Sequence, residues 1–430
     1  MSQRHQVDDG SRYNTQLNLW RHIAKFKTSL TPASEEFIIS RYNGPKRLLL
    51  EQAKESLVVD PLTEEDAAVT MFLKADKSHE EKYTAPRCIQ YRNKRYCLRL
   101  ATYIHPIEEH FYTMTDKSGT PIAAKSRNLH QRGADLKAKW DMFEDPVAIP
   151  MDHSKYDAHC GVELLGLEHK FYKSFYRNSS GRAELCKLLK WQLHNRGSTK
   201  NGTHYTTVGT RMSGEQNTGL GNTVTNFAML SAFNKHYNLN ACFYVDGDDS
   251  VLICERTKAA KISAKFFLQF GMNTVMEELV DNFSHVEFCQ TRPVFDGVDW
   301  RMVRNPHRLL ARTPWIVYNL PRSCHNRYLR SVGLCEMALG QGLPVGQFIG
   351  RTLSQVCSKK YMITDLHYVA KREKRDPAKT LFKEPTEEAR LSYEEAWGVS
   401  PTTQRLWEAT GITDPDLGGS YDHEETPFSV

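Results

Sequence analysis

An acidic turn between two apolar runs is the feature that most constrains how this chain can fold. Residues 241–245 (ACFYV) and 251–254 (VLIC) are mainly aromatic and β-branched, which favours strands. Gly247, Asp248 and Asp249 lie between them, and glycine supplies the backbone freedom that a tight connection needs. The sequence therefore predicts a β-hairpin with Asp248 and Asp249 at its tip. Two adjacent carboxylates repel each other, so the tip is either a solvated turn or a ligand set for Mg²⁺ or Mn²⁺.

Length and apolar content predict a large globular protein. The chain has 430 residues, of which 40% are hydrophobic, enough for a sizeable core shared by two or three lobes. No apolar run reaches the ~18 residues of a membrane-spanning helix, and residues 1–12 lack the apolar core of a signal peptide. We therefore expect neither a membrane span nor secretion.

Cysteine spacing and charge narrow the class further. The ten cysteines include no C-x-x-C pair, which indicates reduced thiols in an intracellular protein and no zinc site. The net charge of +6 favours an anionic partner. Basic residues outnumber acidic ones in residues 74–99, where they alternate with tyrosines. This segment is either a solvated strand face or a strand pair whose cations bind phosphates.

A short apolar strand is predicted at residues 146–151, and it presents Asp152 at its end. Asp157 follows five residues later, and the turn after the strand is expected to bring it back above the same surface. A helical pattern begins after Gly161. Taken alone, two aspartates at this spacing also occur in ordinary surface turns.

A glycine-punctuated loop within residues 209–223 leads into another predicted helix. Its hydroxyl and amide side chains include Ser213, Thr218 and Asn222, and the last two share a helix face. Ser213 is either the N-cap of that helix or part of a surface that a nucleotide sugar and a template backbone approach closely.

These segments, in this order, resemble motifs A, B and C of viral RNA-dependent RNA polymerases. The matching positions are Asp152 with Asp157, Ser213 to Asn222, and Gly247 to Asp249. The resemblance is most specific to the tombusvirus-like polymerases of plant viruses. Residues 72–77 (FLKADK) with 85–90 (APRCIQ) resemble the basic motif F of that group, residues 211–214 (RMSG) its motif B, and residues 287–290 (EFCQ) its motif E. Together the matches span roughly residues 65–310.

The fold that this resemblance implies is a right hand. It is a mixed α/β (α+β) architecture with an antiparallel palm sheet flanked by helices, with fingers, and with a mainly helical thumb. The implied boundaries are an N-terminal extension at 1–64 that packs on the fingers or thumb, fingers at 65–145, a palm at 146–304 with a fingers insertion near 175–208, a thumb at 305–411 and a mobile acidic tail at 412–430.

The resemblance also implies a chemistry. This is nucleotidyl transfer from nucleoside triphosphates to an RNA 3′-hydroxyl with two Mg²⁺ ions, for which Mn²⁺ can substitute. Asp152 and Asp248 are the implied principal metal ligands, and Asp249 supports them. The implied nucleotide and ribose contacts are Asp157, Ser213, Thr218 and Asn222. The implied triphosphate and RNA contacts are Lys74, Lys77, Arg87 and Arg92.

Two positions depart from the pattern of this group. Residues 271–277 (GMNTVME) lack the lysine that its motif D loop commonly carries, which leaves the proton donor to pyrophosphate unassigned. Asp246 stands where the group usually has asparagine directly before Gly-Asp-Asp. This extra carboxylate is either solvated or alters the metal preference.

The implied partners are template and product RNA, nucleoside triphosphates and a viral accessory replication protein that links the enzyme to host membranes. The expected location is the host-cell cytoplasm, at membrane-associated replication complexes. Two alternatives stay open. A reverse transcriptase-like polymerase is disfavoured because Asp157 and Asn222 suit a ribose hydroxyl, and a non-catalytic RNA-binding scaffold is disfavoured by the retained carboxylates.

Overall fold

Helices and sheets together form the described part of the chain, which confirms the predicted mixed α/β class. The computed structural model describes residues 15–74, 86–316, 320–358, 369–370, 373 and 376–410. The α-helices are α1 (Thr15–Ile23), α2 (Glu35–Ser40), α3 (Gly44–Val59), α4 (Lys94–Phe111), α5 (Leu129–Trp140), α6 (Tyr156–His159), α7 (Val162–Phe175), α8 (Arg182–Lys190), α9 (Thr218–Tyr237), α10 (Arg256–Ala259), α11 (Pro306–Arg312), α12 (Arg322–Gly340), α13 (Gly346–Ser354), α14 (Glu387–Trp397) and α15 (Pro401–Thr410). The strands are β1 (Val69–Leu73), β2 (Cys88–Arg92), β3 (Pro146–His153), β4 (His194–Thr199), β5 (His204–Val208), β6 (Cys242–Asp246), β7 (Asp249–Glu255), β8 (Thr274–Met276), β9 (Thr291–Phe295) and β10 (Trp300–Arg304). Short 3₁₀ segments lie at Ala24–Phe26, Glu64–Ala67, Ala264–Phe270, Phe283–His285 and Pro377–Lys379.

The described residues form two compact units, each with its own apolar core. The first unit takes its described residues from 15–74, 86–125 and 142–279, and the second from 126–141 and from 280 onward. Ile149, Phe171 and Phe227 belong to the core of the first unit. Leu329 and Tyr393 belong to that of the second.

A four-stranded antiparallel sheet in the order β6-β7-β3-β8 carries the acidic turn in the first unit. β6 and β7 form the predicted hairpin, in which Asp246 pairs with Asp249. Helix α9 packs on this sheet, and the ring centroid of Phe227 lies 5.3 Å from that of Phe243 in an edge-to-face contact. Full burial of one such ring contributes about 1.5–3 kcal/mol. Apolar packing therefore fixes the helix beside the hairpin.

A second four-stranded sheet joins segments that are distant in sequence. Its order is β2-β1-β4-β5, with β1 antiparallel to β2 and parallel to β4. The β4–β5 hairpin follows α8 and lies in the sequence between Asp157 and Ser213. Strand pairing thus connects the chain near residues 194–208 with the start of the basic segment.

Helices dominate the second unit, together with the β9–β10 hairpin. Helices α12 and α13 cross closely at Gly333 and Gly350. A Cβ atom on either glycine would overlap the backbone of the opposite helix, so only glycine allows this approach.

Helix α7 begins directly after Gly161, as predicted. At the start of α2, the Ser34 hydroxyl accepts a hydrogen bond from Phe37 N and caps the helix. All ten cysteines lie among the described residues and are thiols. Within the described ranges, no helix has the length and apolar character needed to cross a bilayer. The acidic segment 412–430 lies outside the described residues.

The predicted strand pair in the basic segment is only partly right. β1 and β2 do pair, but α4 begins at Lys94, so Arg95 and Arg99 project from a helix. Their guanidinium groups form ion pairs with Asp66 at 2.8 Å and with Glu184 at 2.6 Å. These two arginines therefore stabilise the fold instead of lining a path for phosphates.

Candidate active site

Three aspartates meet at one end of the antiparallel sheet. β3 and β7 pair through Met151 and Ser250, and one further step of that register sets Asp152 opposite Asp249, beside the turn that carries Asp248. The three aspartates are exposed, whereas Met151 and Ser250 are buried. The alternation of side chains along a strand produces this contrast.

Helix α9 holds the backbone of the acidic turn. Gly247 has a φ of 73°, which favours glycine, and its N–H donates to Thr223 Oγ1 at 3.0 Å. Asn226 Nδ2 donates to the carbonyl oxygens of Gly247 at 3.1 Å and of Asp248 at 3.0 Å. Both helix side chains are fully buried, so water does not compete for these bonds.

His153 links the end of β3 to the same helix. Its Nε2 lies 3.1 Å from Asn226 Oδ1, and its Nδ1 lies 2.7 Å from Thr274 Oγ1 on β8. Because the Asn226 amide nitrogen already donates to the turn, its Oδ1 accepts from His153 Nε2–H. Burial lowers the pKa of His153 to about 4, so the ring is neutral near pH 7. His153 thus positions the strand end that bears Asp152.

Negative charge is concentrated at this end of the sheet. Burial, together with the charges of Asp249, Asp157 and Asp152, raises the pKa of Asp248 to about 6. The Asp248 side chain is still accessible to solvent, so the neighbouring residues bury it only in part. Among the residues that the structure describes, no three carboxylate, imidazole or thiol groups stand together in a way that could hold a metal ion. The aspartates share one end of the sheet without forming such a group.

A hydrogen bond joins Asp157 to Asn222, as their predicted positions require. Asn222 Nδ2 donates to Asp157 Oδ1 at 2.9 Å, and Asn222 Oδ1 accepts from Arg211 Nε at 3.0 Å. Asn222 is 3% exposed on α9, while Asp157 on α6 is half-buried. Burial raises the pKa of Asp157. The pair therefore lies close enough to Asp248 for the charge of Asp157 to act on it.

Ser213 and Thr218 fix the loop before α9. The Ser213 hydroxyl donates to the carbonyl of Cys88 at 3.2 Å and accepts from Gln90 N at 3.3 Å. Thr218 Oγ1 donates to the carbonyl of Met212 at 3.0 Å. The alternative that Ser213 caps the helix is wrong, because α9 begins at Thr218, too far along the chain. Ser213 instead ties the loop to β2.

Lys74 and Arg87 are exposed at the adjoining ends of β1 and β2. The backbone N–H of Lys74 donates to the carbonyl of Arg87 at 2.9 Å, which extends the pairing of these strands by one step. Their side chains are therefore neighbours on one surface. Lys77, predicted with them, lies outside the described residues.

Arg92 requires a correction. Its side chain is 1% exposed, and it donates to Glu215 Oε1 at 2.6 Å, to Asn195 Oδ1 and to the carbonyl of Ala67. A buried guanidinium whose donors are engaged in this way does not reach a triphosphate or RNA. The predicted contact is wrong because tertiary structure brings Glu215 and Asn195 to this arginine.

Asp246 is paired with a cation that was not assigned to the site. Lys125 Nζ lies 2.5 Å from Asp246 Oδ1, and the Asp246 side chain is only 10% exposed. Ala123 forms a parallel bridge with Val245, and this pairing delivers Lys125 to the end of β6. Asp246 is therefore not the solvated carboxylate that one alternative described.

Sequence reasoning also missed Arg211, Thr223 and Asn226 as site residues. A usable signal was present for Asn226, which follows Asn222 by one helical turn and is a polar residue on a mainly apolar helix. No comparable signal exists for the partners of Arg211, since Glu168 comes from a different helix.

The sheet end thus combines hard anionic oxygens with the hydrogen-bonded pair of Asp157 and Asn222. This donor set suits enzymes that transfer phosphoryl groups with the help of divalent ions. The chain belongs to the viral RNA-dependent RNA polymerase family, because residues 6–411 match the family model described as viral RNA dependent RNA polymerase.

Known relatives agree with this assignment. The chain is 34% identical over 415 residues to the RNA-directed RNA polymerase of maize chlorotic mottle virus, with 90% of this chain and 42% of the relative covered. It is 34% identical over 408 residues to that of tobacco necrosis virus strain A, covering 91% and 54%. It is 37% identical over 317 residues to that of tomato bushy stunt virus, covering 71% and 38%. The predicted resemblance to tombusvirus-like polymerases is confirmed, and the chain spans about half the length of these relatives.

Proposed function

We propose that this chain catalyses RNA-templated RNA synthesis in viral genome replication and transcription. The reaction is transfer of a nucleotide from a nucleoside triphosphate to an RNA 3′-hydroxyl. The observation that carries the proposal is the convergence of Asp152 and Asp248 at the sheet end, beside the hydrogen-bonded Asp157 and Asn222. The substrates are RNA template, growing product strand and nucleoside triphosphates.

Two Mg²⁺ ions, for which Mn²⁺ can substitute, fit the residues present. The donors are hard carboxylate oxygens, and the charges of Asp249, Asp157 and Asp152 all act on Asp248, so a cation among them would relieve their mutual repulsion. Asp152 and Asp248 would be the principal ligands, with Asp249 in support. When bound, such ions activate the 3′-hydroxyl and neutralise charge that develops on the pyrophosphate. The chain's own residues position the ligands: Asn226 bonds to the turn that carries Asp248, and His153 fixes the strand end that carries Asp152.

Asp157, Asn222, Ser213 and Thr218 form the proposed nucleotide site. A ribose 2′-hydroxyl both donates and accepts, so it can bond to a carboxylate oxygen and to an amide N–H together. A deoxyribose would leave these groups unpaired, which disfavours reverse transcription. Ser213 and Thr218 hold the loop beside this pair. Lys74, Arg87 and Lys77 are proposed to bind the triphosphate.

The proposed architecture is a right hand, with fingers at 65–145, palm at 146–304 and a mainly helical thumb at 305–411. Support comes from the antiparallel sheet that bears the aspartates and from the pairing of β1 with β4, which joins the proposed insertion near 175–208 to the fingers segment. The helices from α11 onward support a helical thumb. In the cell, we propose that a viral accessory replication protein brings the enzyme to host membranes in the cytoplasm.

Primer extension tests the activity. On a primed RNA template with four nucleoside triphosphates and Mg²⁺, wild type should extend the primer, whereas Asp248→Ala and Asp152→Ala should not. RNA binding by both variants should persist, since an exposed carboxylate contributes little to the fold. Asp145→Ala is the matched control, because Asp145 precedes the other end of β3 and pairs with Arg256 at 2.9 Å. Near-normal extension by a folded Asp248→Ala protein would contradict the assignment.

A further inference from the structure

Arg211 contacts Asn222, Asp157 and Glu168 beside the proposed nucleotide site. Its side chain is 0% exposed, and its Nε donates to Asn222 Oδ1 at 3.0 Å. Its backbone N–H donates to the carbonyl of Asp157 at 2.8 Å. One residue therefore contacts both members of the Asp157–Asn222 pair.

The donor on Arg211 decides which way the Asn222 amide faces. A guanidinium has only donors, so the atom of Asn222 that faces Arg211 Nε must be the carbonyl oxygen. The amide nitrogen then faces Asp157, whose ionised carboxylate has only acceptors. With the amide reversed, a donor would face a donor and an oxygen would face a carboxylate. Arg211 thus makes one orientation of Asn222 strongly preferred.

Glu168 holds the guanidinium in place. Arg211 donates through Nη1 to Glu168 Oε1 at 3.2 Å and through Nη2 to Glu168 Oε2, and both side chains are fully buried. Asn217 Nδ2 donates to the same Glu168 Oε1 at 2.6 Å. A Cβ atom at Gly221 would overlap the Glu168 carboxylate and the Arg211 guanidinium, so glycine at this position lets the ion pair lie against α9.

We propose that Arg211 is a positioning residue for sugar selection. It keeps the Asn222 N–H and the second Asp157 oxygen aimed at the place of a ribose 2′-hydroxyl, and Glu168 keeps Arg211 from turning away. The inference rests on the proposed polymerase function and goes beyond it, because Arg211 does not contact the nucleotide. Its effect belongs to the choice between ribose and deoxyribose, not to the bond-forming step.

The test is the ratio of kcat/KM for ATP to kcat/KM for dATP on one primed template. This ratio does not change with the fraction of active protein, so a variant that is merely less stable leaves it unaltered. Arg211→Lys keeps the charge beside Glu168 but removes the planar fork, and it should lower the ratio by about tenfold or more, chiefly through slower use of ATP. Glu168→Gln, which is isosteric, should lower it in the same direction by less.

Arg390→Lys is the matched control. Arg390 is also buried, and it donates to both carboxylate oxygens of a buried glutamate, Glu408, but this pair belongs to the second unit and includes neither Arg211 nor Asn222. It should cost stability while leaving the ATP to dATP ratio at the wild-type value. A wild-type ratio in folded Arg211→Lys or Glu168→Gln overturns the inference while the polymerase function stands. If wild type incorporates neither nucleotide, the proposed function is overturned, and the inference with it.

Discussion

Burial divides the basic side chains around the proposed active site into two groups. Arg92 and Arg211 are buried, and each is bonded to a buried glutamate. Lys74 and Arg87 are exposed at the ends of neighbouring strands. A buried cation is committed to the partner that offsets its loss of hydration, whereas an exposed one can contact a phosphate that arrives from solution.

Lys74→Ala and Arg87→Ala should therefore raise the KM for nucleoside triphosphates more than they weaken template binding. Each change removes one charge-assisted contact to phosphate, which contributes about 1.5–3 kcal/mol, so a rise of roughly tenfold is expected. Steady-state kinetics and equilibrium RNA binding measure the two effects separately. Arg47→Ala, which removes an exposed arginine paired with Glu51 on α3, is the matched control. A loss of salt-sensitive RNA affinity at constant KM would instead identify a backbone-binding surface.

The order of residue types along the chain was enough to predict that the aspartates lie at a strand end and in a turn, but not which arginines are buried. Asp152 and Asp248 stand at a strand end and in a turn, and both features are local. The burial of Arg92 depends on Glu215 and Asn195, which are far away in sequence. Composition alone does not distinguish a paired, buried arginine from a solvated one.

Helix α4 carries a carboxyl group whose ionisation opposes folding. Glu108 has a side chain that is 20% exposed and lies 3.7 Å from His105 Nδ1. Burial raises its pKa from 4.5 to about 7, although Arg41, Lys125 and a hydrogen bond from Tyr112 act in the opposite direction. Between these two pH values the folded protein binds more protons than the unfolded chain. The free energy of unfolding therefore falls as pH rises from about 4.5 to about 7.

Glu108→Gln should remove this pH dependence. The free energy of unfolding of the variant should exceed that of wild type only slightly at pH 5, and the difference should grow to at most about 3 kcal/mol at pH 8. Chemical denaturation at both pH values measures the difference. Glu109→Gln, on the same helix turn but 53% exposed, should leave the wild-type pH dependence in place. An equal stability difference at both pH values would show that Glu108 does not titrate in this range.

Elements built from local pattern were predicted well, and elements that depend on distant pairing were not. The hairpin of β6 and β7 follows from two apolar runs around a glycine turn, and α7 follows from its helical periodicity. The parallel pairing of β1 with β4 joins Val69 to Gly197, and no local pattern specifies that contact. For the same reason, the approach of Lys125 to Asp246 was not predicted.

At the scale of the whole molecule, the proposed metal ligands all belong to the first unit. Its aspartates come from β3 and from the β6–β7 hairpin, and the core of this unit packs against both. A ligand that binds only the folded state raises the free energy of unfolding by mass action, by about 2.7 kcal/mol at a hundred times its Kd. Metal binding should therefore raise the measured free energy of unfolding, and this increase can be detected without an assay of RNA synthesis.

Mg²⁺ should raise the Tm of wild type by roughly 5 °C at such a concentration, and a chelator should reverse the shift. Asp152→Asn should lose most of the shift, because the remaining carboxylates hold the ion less tightly. Asp145→Asn should keep it, since Asp145 precedes the opposite end of the strand. Calorimetry with and without Mg²⁺ makes the comparison. An undiminished shift in Asp152→Asn would place the stabilising ion elsewhere.

The hydrogen bonds of Thr223 and Asn226 hold the backbone of the acidic turn and not its carboxylate side chains. The peptide groups of Gly247 and Asp248 are bonded to the helix, while the carboxylates face the solvent. In the proposed polymerase, the carboxylates would therefore exchange water and metal ions while these three hydrogen bonds stay intact. An enzyme that adds one nucleotide after another to an RNA strand must return to the same geometry each time. Because the backbone of the turn would take no part in the exchange, that geometry would persist from one addition to the next.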